Sequence, residues 1–200
     1  MSFWPSPPWD SAVYWTLDLE TGGLDVKRDA ILAVGMVPVR QGVIALRDAW
    51  QTLVRPETGA VSAASIRAHQ LVPSDVDAAP PFAEVAPEIE RRLDGAVLLV
   101  HHAGIDVGFL RQAFARTRRR WPRPRVVDTA DLLLRLAKKE RFIDPDAGAR
   151  APVLNLAAAR RRLGLPDYQA HDALTDAVAT AELFLVLRRK LDARTVRDLS

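Results

Sequence analysis

The sequence predicts one α/β domain: a mixed β-sheet, three antiparallel strands followed by parallel strands, flanked by helices. Three observations predict it. Residues 12–17, 30–39 and 43–54 are apolar or β-favouring runs joined by short turns, which makes adjacent antiparallel strands. Beyond residue 81, stretches with apolar residues three and four apart alternate with short apolar runs at 96–101 and 126–128, the pattern of helices between buried parallel strands. No repeat, low-complexity tract or linker divides the 200 residues, and that length suits one domain with a full core.

Each element has a local reason. The run Ala12, Val13, Tyr14, Trp15, Thr16, Leu17 favours a strand, which Asp18 and Glu20 close before Thr21-Gly22-Gly23. The 30–39 run is almost wholly apolar and reads as buried; Arg40-Gln41-Gly42 is a hairpin turn, and residues 55–57 close the third strand. Residues 62–69 form a short helix and 73–81 a connecting loop. Pro81 opens a helix whose apolar face is Phe82, Val85, Ile89 and Leu93, ending at Asp94-Gly95. Gly104 or Asp106 opens the next, which runs through Phe109, Leu110, Ala113 and Phe114 to an arginine cluster. A helix over 129–141 carries Leu132, Leu133 and Leu136, and 144–152 is a Gly/Pro/Ala loop. Asn155 caps a helix ending at Gly164, and the last long helix spans about 171–191. The organisation is a Pro-rich arm at 1–11, one domain at 12–191 and a short tail at 192–200.

The absence of cysteine excludes disulfides and thiolate metal sites, and is compatible with a reducing cytoplasm. No apolar run is long enough to span a bilayer, and the N-terminus lacks a basic segment and an apolar segment of secretory type. Charge is unevenly spread. Residues 1–110 carry 14 acids against 8 bases, whereas 111–200 carry 11 acids against 20 bases, so the second half is the one that suits a polyanion. Its richest piece, 111–125, holds seven arginines and no acid. A solvated helix face is the alternative reading of those arginines.

Three stretches carry candidate chemistry. Asp18 and Glu20, two apart on an extended segment, point to one side. Two carboxylates leaving a buried strand on one face repel unless a cation lies between them, and oxygen ligands favour Mg²⁺ or Mn²⁺; a solvated acidic turn is the alternative. Asp106 enters the first turn of a helix just after a buried strand, as a metal ligand or as a capping residue. His171 and Asp176 flank the start of the last helix, where both can overlook one cavity, or where the histidine is structural.

Taken together, these stretches resemble the three motifs of the DEDDh family of 3′–5′ exonucleases, to which the proofreading (epsilon) subunit of bacterial DNA polymerase III belongs. Leu17-Asp18-Leu19-Glu20-Thr21-Gly22-Gly23-Leu24 is similar to the first motif. His101-His102-Ala103-Gly104-Ile105-Asp106-Val107-Gly108-Phe109-Leu110 is similar to the second, and His171-Asp172-Ala173-Leu174-Thr175-Asp176-Ala177 to the third. Val54-Arg55-Pro56, Ala68-His69-Gln70-Leu71, Pro80-Pro81-Phe82-Ala83-Glu84-Val85 and Val127-Asp128-Thr129 also fall where that family has similar residues. The likeness covers roughly residues 12–190. It departs at His102, where the family usually has Asn, at Ile105, where it usually has Phe, and at Gly22, where Thr is frequent. No extension that would tether the chain to a polymerase follows the last helix, which favours a stand-alone nuclease.

The resemblance implies a ribonuclease H-like fold and a two-metal hydrolysis of phosphodiester bonds at a free 3′ end, with two Mg²⁺ or Mn²⁺ ions about 3.5–4 Å apart. It assigns Asp18 to bridge both ions, Glu20 and Asp176 to complete the ion that activates water, and Asp106 to support the ion on the leaving-group side. It makes His171 the general base. Thr21, Gly22 and Gly23 would hold the terminal nucleotide, and Leu24 would press on its base. Arginines of 111–125, or Arg160 to Arg162, are candidate phosphate contacts. The expected substrate is single-stranded DNA, released as nucleoside 5′-monophosphates. Alternatives are an RNA or oligoribonucleotide exonuclease of the same family, or a noncatalytic module that binds nucleic acid or a partner. Association with a DNA polymerase through another surface stays open, and no membrane partner is expected.

Overall fold

The computed structural model describes residues 6–56, 73–144, 151–168 and 172–200. The expected helix at 62–69, the Ala68-His69-Gln70-Leu71 stretch, most of the 144–152 loop, and His171 lie outside the described residues.

Six strands form one mixed sheet: β1 (Val13–Thr21), β2 (Ile31–Arg40), β3 (Val43–Ile44), β4 (Trp50–Leu53), β5 (Val97–Val100) and β6 (Arg125–Asp128). Among the described residues the α-helices are α1 (Pro73–Ala78), α2 (Phe82–Leu93), α3 (Ala103–Arg116), α4 (Thr129–Ile143), α5 (Leu156–Arg162) and α6 (Ala173–Leu191). The order across the sheet is β3-β2-β1-β5-β6, and β4 also pairs with β2. Strands β1 to β4 are antiparallel, whereas β5 lies parallel to β1, and β6 to β5. This is the mixed α/β sheet that the residue pattern predicts.

The alternation of β1 decides what each face does. Trp15, Leu17 and Leu19 join a cluster with Ile89, Leu93, Phe109 and Phe114 under α2 and α3. Tyr14 faces the other way, into a cluster with Leu132, Leu183, Phe184 and Leu187 under α4 and α6. Period-two geometry therefore puts Asp18 and Glu20 on the α6 face, in line with Tyr14 and Thr16.

Two elements differ from expectation. The single strand at 43–54 is broken into β3 and β4 by a 3₁₀ turn at Leu46–Asp48. The cause is Pro38 in β2. Its carbonyl accepts the Ala45 N–H at 2.9 Å, but it has no N–H to give back, so the ladder cannot continue there. An ion pair from Arg40 to Asp48 closes the gap. The expected loop at 73–81 contains α1: Pro73 is its first residue, where a missing N–H costs nothing, and Asp75 suits the first-turn dipole.

Residues 6–11 lie along the end of the chain. The Trp9 N–H donates to the Arg194 carbonyl at 3.0 Å, and the Val196 N–H to the Pro7 carbonyl at 3.1 Å. The Trp9 ring contacts Tyr14 and Phe184 and carries the Arg188 guanidinium 4.2 Å from its centroid.

Candidate metal centre

β1 runs through the two carboxylates to Thr21, and its register with β2 shifts between Glu20 and Thr21. Such a bulge re-aims the side chains beside it. Glu20 and Thr21 are buried, and Asp18 is half-buried.

Asp176 comes from α6. Asp172 caps that helix, accepting the Thr175 N–H at 2.9 Å and its hydroxyl at 2.6 Å. The Gln51 amide of β4 also donates to Asp172, at 2.6 Å, which ties the helix start to the sheet edge. Burial pushes the Asp172 carboxyl up, but these bonds together hold it below its ordinary value.

What lets α6 come so near is Gly35. It pairs with Asp18 across the sheet and shares its face. A Cβ at Gly35 would lie 2.3 Å from the Ala173 carbonyl carbon and from the Leu174 nitrogen. Only a residue without a side chain allows helix backbone to rest on strand backbone here.

One oxygen from each of Asp18, Glu20 and Asp176 lies within 4.8 Å of the others. Burial, then Asp106, Asp176, Glu20 and Asp172, push the Asp18 carboxyl well above its ordinary value. Glu20 is raised to about 7, by burial first and then by Asp176 and Asp172. An all-oxygen set of mutually repelling, desolvated carboxylates fits a hard divalent cation, which offsets the repulsion that raises these values.

Asp106 stands outside that triplet. It is buried in the first turn of α3, which starts where β5 ends, and its charge acts on Asp18. Burial and then Asp128 raise the Asp106 carboxyl, against backbone hydrogen bonds at Asp106 and Leu19. It is not the cap of α3. That helix is entered through His102, in a left-handed conformation at φ 68° with no side-chain cap bond of its own.

The capping falls to Asp128, whose role residue spacing did not reveal. One of its oxygens accepts from the His102 N–H at 3.0 Å and the Ala130 N–H at 2.9 Å; the other accepts from the Ala103 N–H at 2.7 Å. One carboxylate at the end of β6 thus caps α4 and also the helix that bears Asp106. The strand-to-helix step at Asp128-Thr129 signals the first cap; the second joins residues 25 apart in sequence. Beside it, His101 Nδ1 lies 2.7 Å from the Thr129 hydroxyl and Nε2 lies 2.7 Å from the Leu154 carbonyl. Burial lowers the His101 ring to about 4, so it is neutral near pH 7.

Around the end of β1, the Thr21 hydroxyl donates to the Gly23 carbonyl at 2.7 Å, and the Gly22 N–H to the Ala30 carbonyl at 2.7 Å. Leu24 is 78% exposed. Of the arginines considered for phosphate contacts, Arg160 is ruled out. It is 2% exposed and bonds to the Ala179 and Pro166 carbonyls and to Glu182.

A family model for exonucleases (RNase_T) matches residues 16–184. The chain is 32% identical over 190 residues to a DNA polymerase III subunit epsilon-like protein of Rhodobacter capsulatus, covering 94% of this chain and 25% of that one. It is 29% identical over 191 residues to a PolC-type DNA polymerase III of Clostridium perfringens, covering 94% and 12% respectively. This chain therefore spans a quarter or less of these relatives. Among solved structures, E. coli exonuclease I in complex with a dT13 oligonucleotide superposes with a TM-score of 0.75 at 16% identity, over 90% of this chain and 42% of that one. Cell-death related nuclease 4 gives 0.76 at 12% identity, over 96% and 67%. These likenesses are of fold: ribonuclease H-like exonucleases share this sheet and its covering helices.

Proposed function

Since the chain belongs to the exonuclease family, we propose that it hydrolyses phosphodiester bonds one nucleotide at a time from the 3′ end of DNA, most readily single-stranded. The observation that carries this is the convergence of half-buried Asp18 and buried Glu20 from β1 with half-buried Asp176 from α6 on one spot. Two divalent ions, Mg²⁺ or Mn²⁺, would be held by Asp18, Glu20 and Asp176, with Asp106 in support. When bound, such ions offset phosphate charge and make water a better nucleophile.

The chain's own residues do the rest. His171 precedes the Asp172 cap in sequence and takes a proton from the attacking water. The water oxygen bonds to phosphorus, the bond to the 3′ oxygen breaks, and that oxygen takes a proton from solvent as it leaves, giving a nucleoside 5′-monophosphate. Thr21, Gly22 and Gly23 hold the terminal nucleotide, and the exposed Leu24 lies against its base. Nothing in such contacts selects a sequence, as suits an enzyme that shortens any end. The reading keeps residues 12–191 as the working domain, places it in the cytoplasm and leaves room for a polymerase partner. No helix among the described residues is long and apolar enough to cross a membrane.

The test uses 5′-labelled DNA and RNA of one sequence. A ladder shortening from the 3′ end, faster on DNA, dependent on Mg²⁺ or Mn²⁺ and lost in EDTA, is expected. Faster loss of RNA would make the enzyme a ribonuclease of the same family, and binding without cleavage would make it a noncatalytic module.

A further inference from the structure

Outside the acidic site, the largest run of cations unbroken by an acid leads from the end of α3 to β6. α3 begins near the site and runs back along the sheet, so this connection sits at the other end. Arg125 pairs with Val97, which pairs with Tyr14, four residues before Asp18. Four residues of strand rise and two inter-strand spacings put Arg125 about 16 Å from Asp18 along the sheet, and the rest of the loop lies beyond it.

The connection is held in place. Arg119 forks onto Glu90 of α2 at 3.0 and 2.8 Å. Trp121 packs edge-on against the buried Phe114, with ring centroids 5.3 Å apart. The Thr117 hydroxyl turns back to the last carbonyls of α3. Arg118 and Arg123 both hold left-handed backbone, at φ 56° and 53°, which residues with side chains avoid unless the surroundings impose it.

The result is a fixed backbone with Arg118, Arg120, Arg123 and Arg125 exposed on it. Within this loop, Arg119 alone forms an ion pair among the described residues. Glu90 and Asp94 line the groove beside Arg120, and Glu90 is already engaged by Arg119. The cations are all guanidinium groups, whose planar fork matches phosphate oxygens.

We infer that this arginine loop is a second phosphodiester-binding surface, gripping the strand on the 5′ side of the terminal nucleotides. The inference rests on the exonuclease reading for its choice of occupant. A strand whose 3′ end lies at the carboxylates must leave the site, and one polyanion can cover both places. An acidic protein face would meet the same charges but has no such reason to be there.

The test is equilibrium binding of a fluorescent single strand of about twenty nucleotides, in EDTA so that nothing is cleaved, over a range of salt. Each phosphate contact on a single strand contributes about 0.7 to the slope of log affinity against log salt. Replacing three cations, in Arg118→Gln, Arg120→Gln and Arg123→Gln together, should weaken binding at least tenfold at low salt and lower the slope by about 2. Arg120→Gln alone, at an exposed site of ordinary backbone, should lower it by about 0.7 and serves if the triple variant folds poorly. An unchanged slope in either folded variant overturns the inference and leaves an acidic protein as the occupant to seek. Equal weakening towards a dinucleotide, too short to reach the loop, also overturns it. Hydrolysis is not read here, so a failed exonuclease reading would show in the ladder assay and not in these slopes.

Discussion

Gly35→Ala is the substitution whose consequence the structure fixes best. The new Cβ would meet the Ala173 carbonyl carbon and the Leu174 nitrogen at 2.3 Å, and the Ala173 oxygen at 2.4 Å, where ordinary contact begins at 3.4 Å. These are backbone atoms, so no side chain can swing away. The first turn of α6 must retreat by about 1 Å, a misplacement that costs on the order of 100-fold in rate when it separates catalytic groups. Asp176 retreats with it, from a cluster in which metal–ligand distances tolerate about 0.2 Å. In free energy the rate loss is about 2.7 kcal/mol. Overpacking should cost a further 1–3 kcal/mol of stability, roughly, or several degrees of melting temperature. The assay is kcat for nucleotide release, the divalent-ion concentration at half-maximal rate, and a thermal melt. Gly104→Ala is the control, because a Cβ there meets nothing within 4 Å. A Gly35→Ala enzyme with unchanged rate and ion requirement would refute the account of how α6 delivers Asp176. Loss of stability with full rate would leave Gly35 a packing residue only.

Other outcomes follow from the same geometry. Asp128→Ala removes the acceptor of three backbone N–H groups and should cost about 2–4 kcal/mol in urea unfolding and raise the ion concentration needed for activity; Asp128→Asn, keeping one oxygen, should cost less, and equal behaviour of the two would contradict the double cap. His101, lowered from 6.5 to about 4 chiefly by burial, makes stability fall with pH: below about 6.5 the unfolded chain takes up a proton that the folded ring refuses until about pH 4. That amounts to about 2 kcal/mol lost between pH 7 and pH 5, which His101→Gln should abolish; parallel pH profiles of the two proteins would tell against it. Leu24→Ala, at a side chain 78% exposed, should raise KM severalfold while stability stays within about 0.5 kcal/mol, and a large drop in melting temperature would show that the side chain packs instead.

Much of this site could be read from residue order, because its signals are local. The i, i+2 placement of Asp18 and Glu20 on an apolar strand fixes their common face. A helix starting near residue 171 puts Asp176 within its first turns, although Asp172 as its cap shows only in the structure. What could not be read is tertiary. Asp128 looks like a cap for its own helix and nothing marks its reach to His102 and Ala103. Gly35 is one small residue in an apolar run until α6 is seen against it. Arg160 looks like the exposed arginines beside it, yet it is buried on Glu182. The break between β3 and β4 depends on Pro38 having to serve a second neighbour, which is a fact about the sheet and not about the run itself.

The three converging carboxylates are proposed to hold divalent ions for hydrolysis. The most direct test is a calorimetric titration of Mn²⁺ into the metal-free protein, beside Asp18→Asn and Asp176→Asn, with circular dichroism to show that each is folded. Binding to the wild type, weakened at least tenfold by each substitution, is expected. Binding unchanged in both variants, or no binding to the folded wild type, would contradict it.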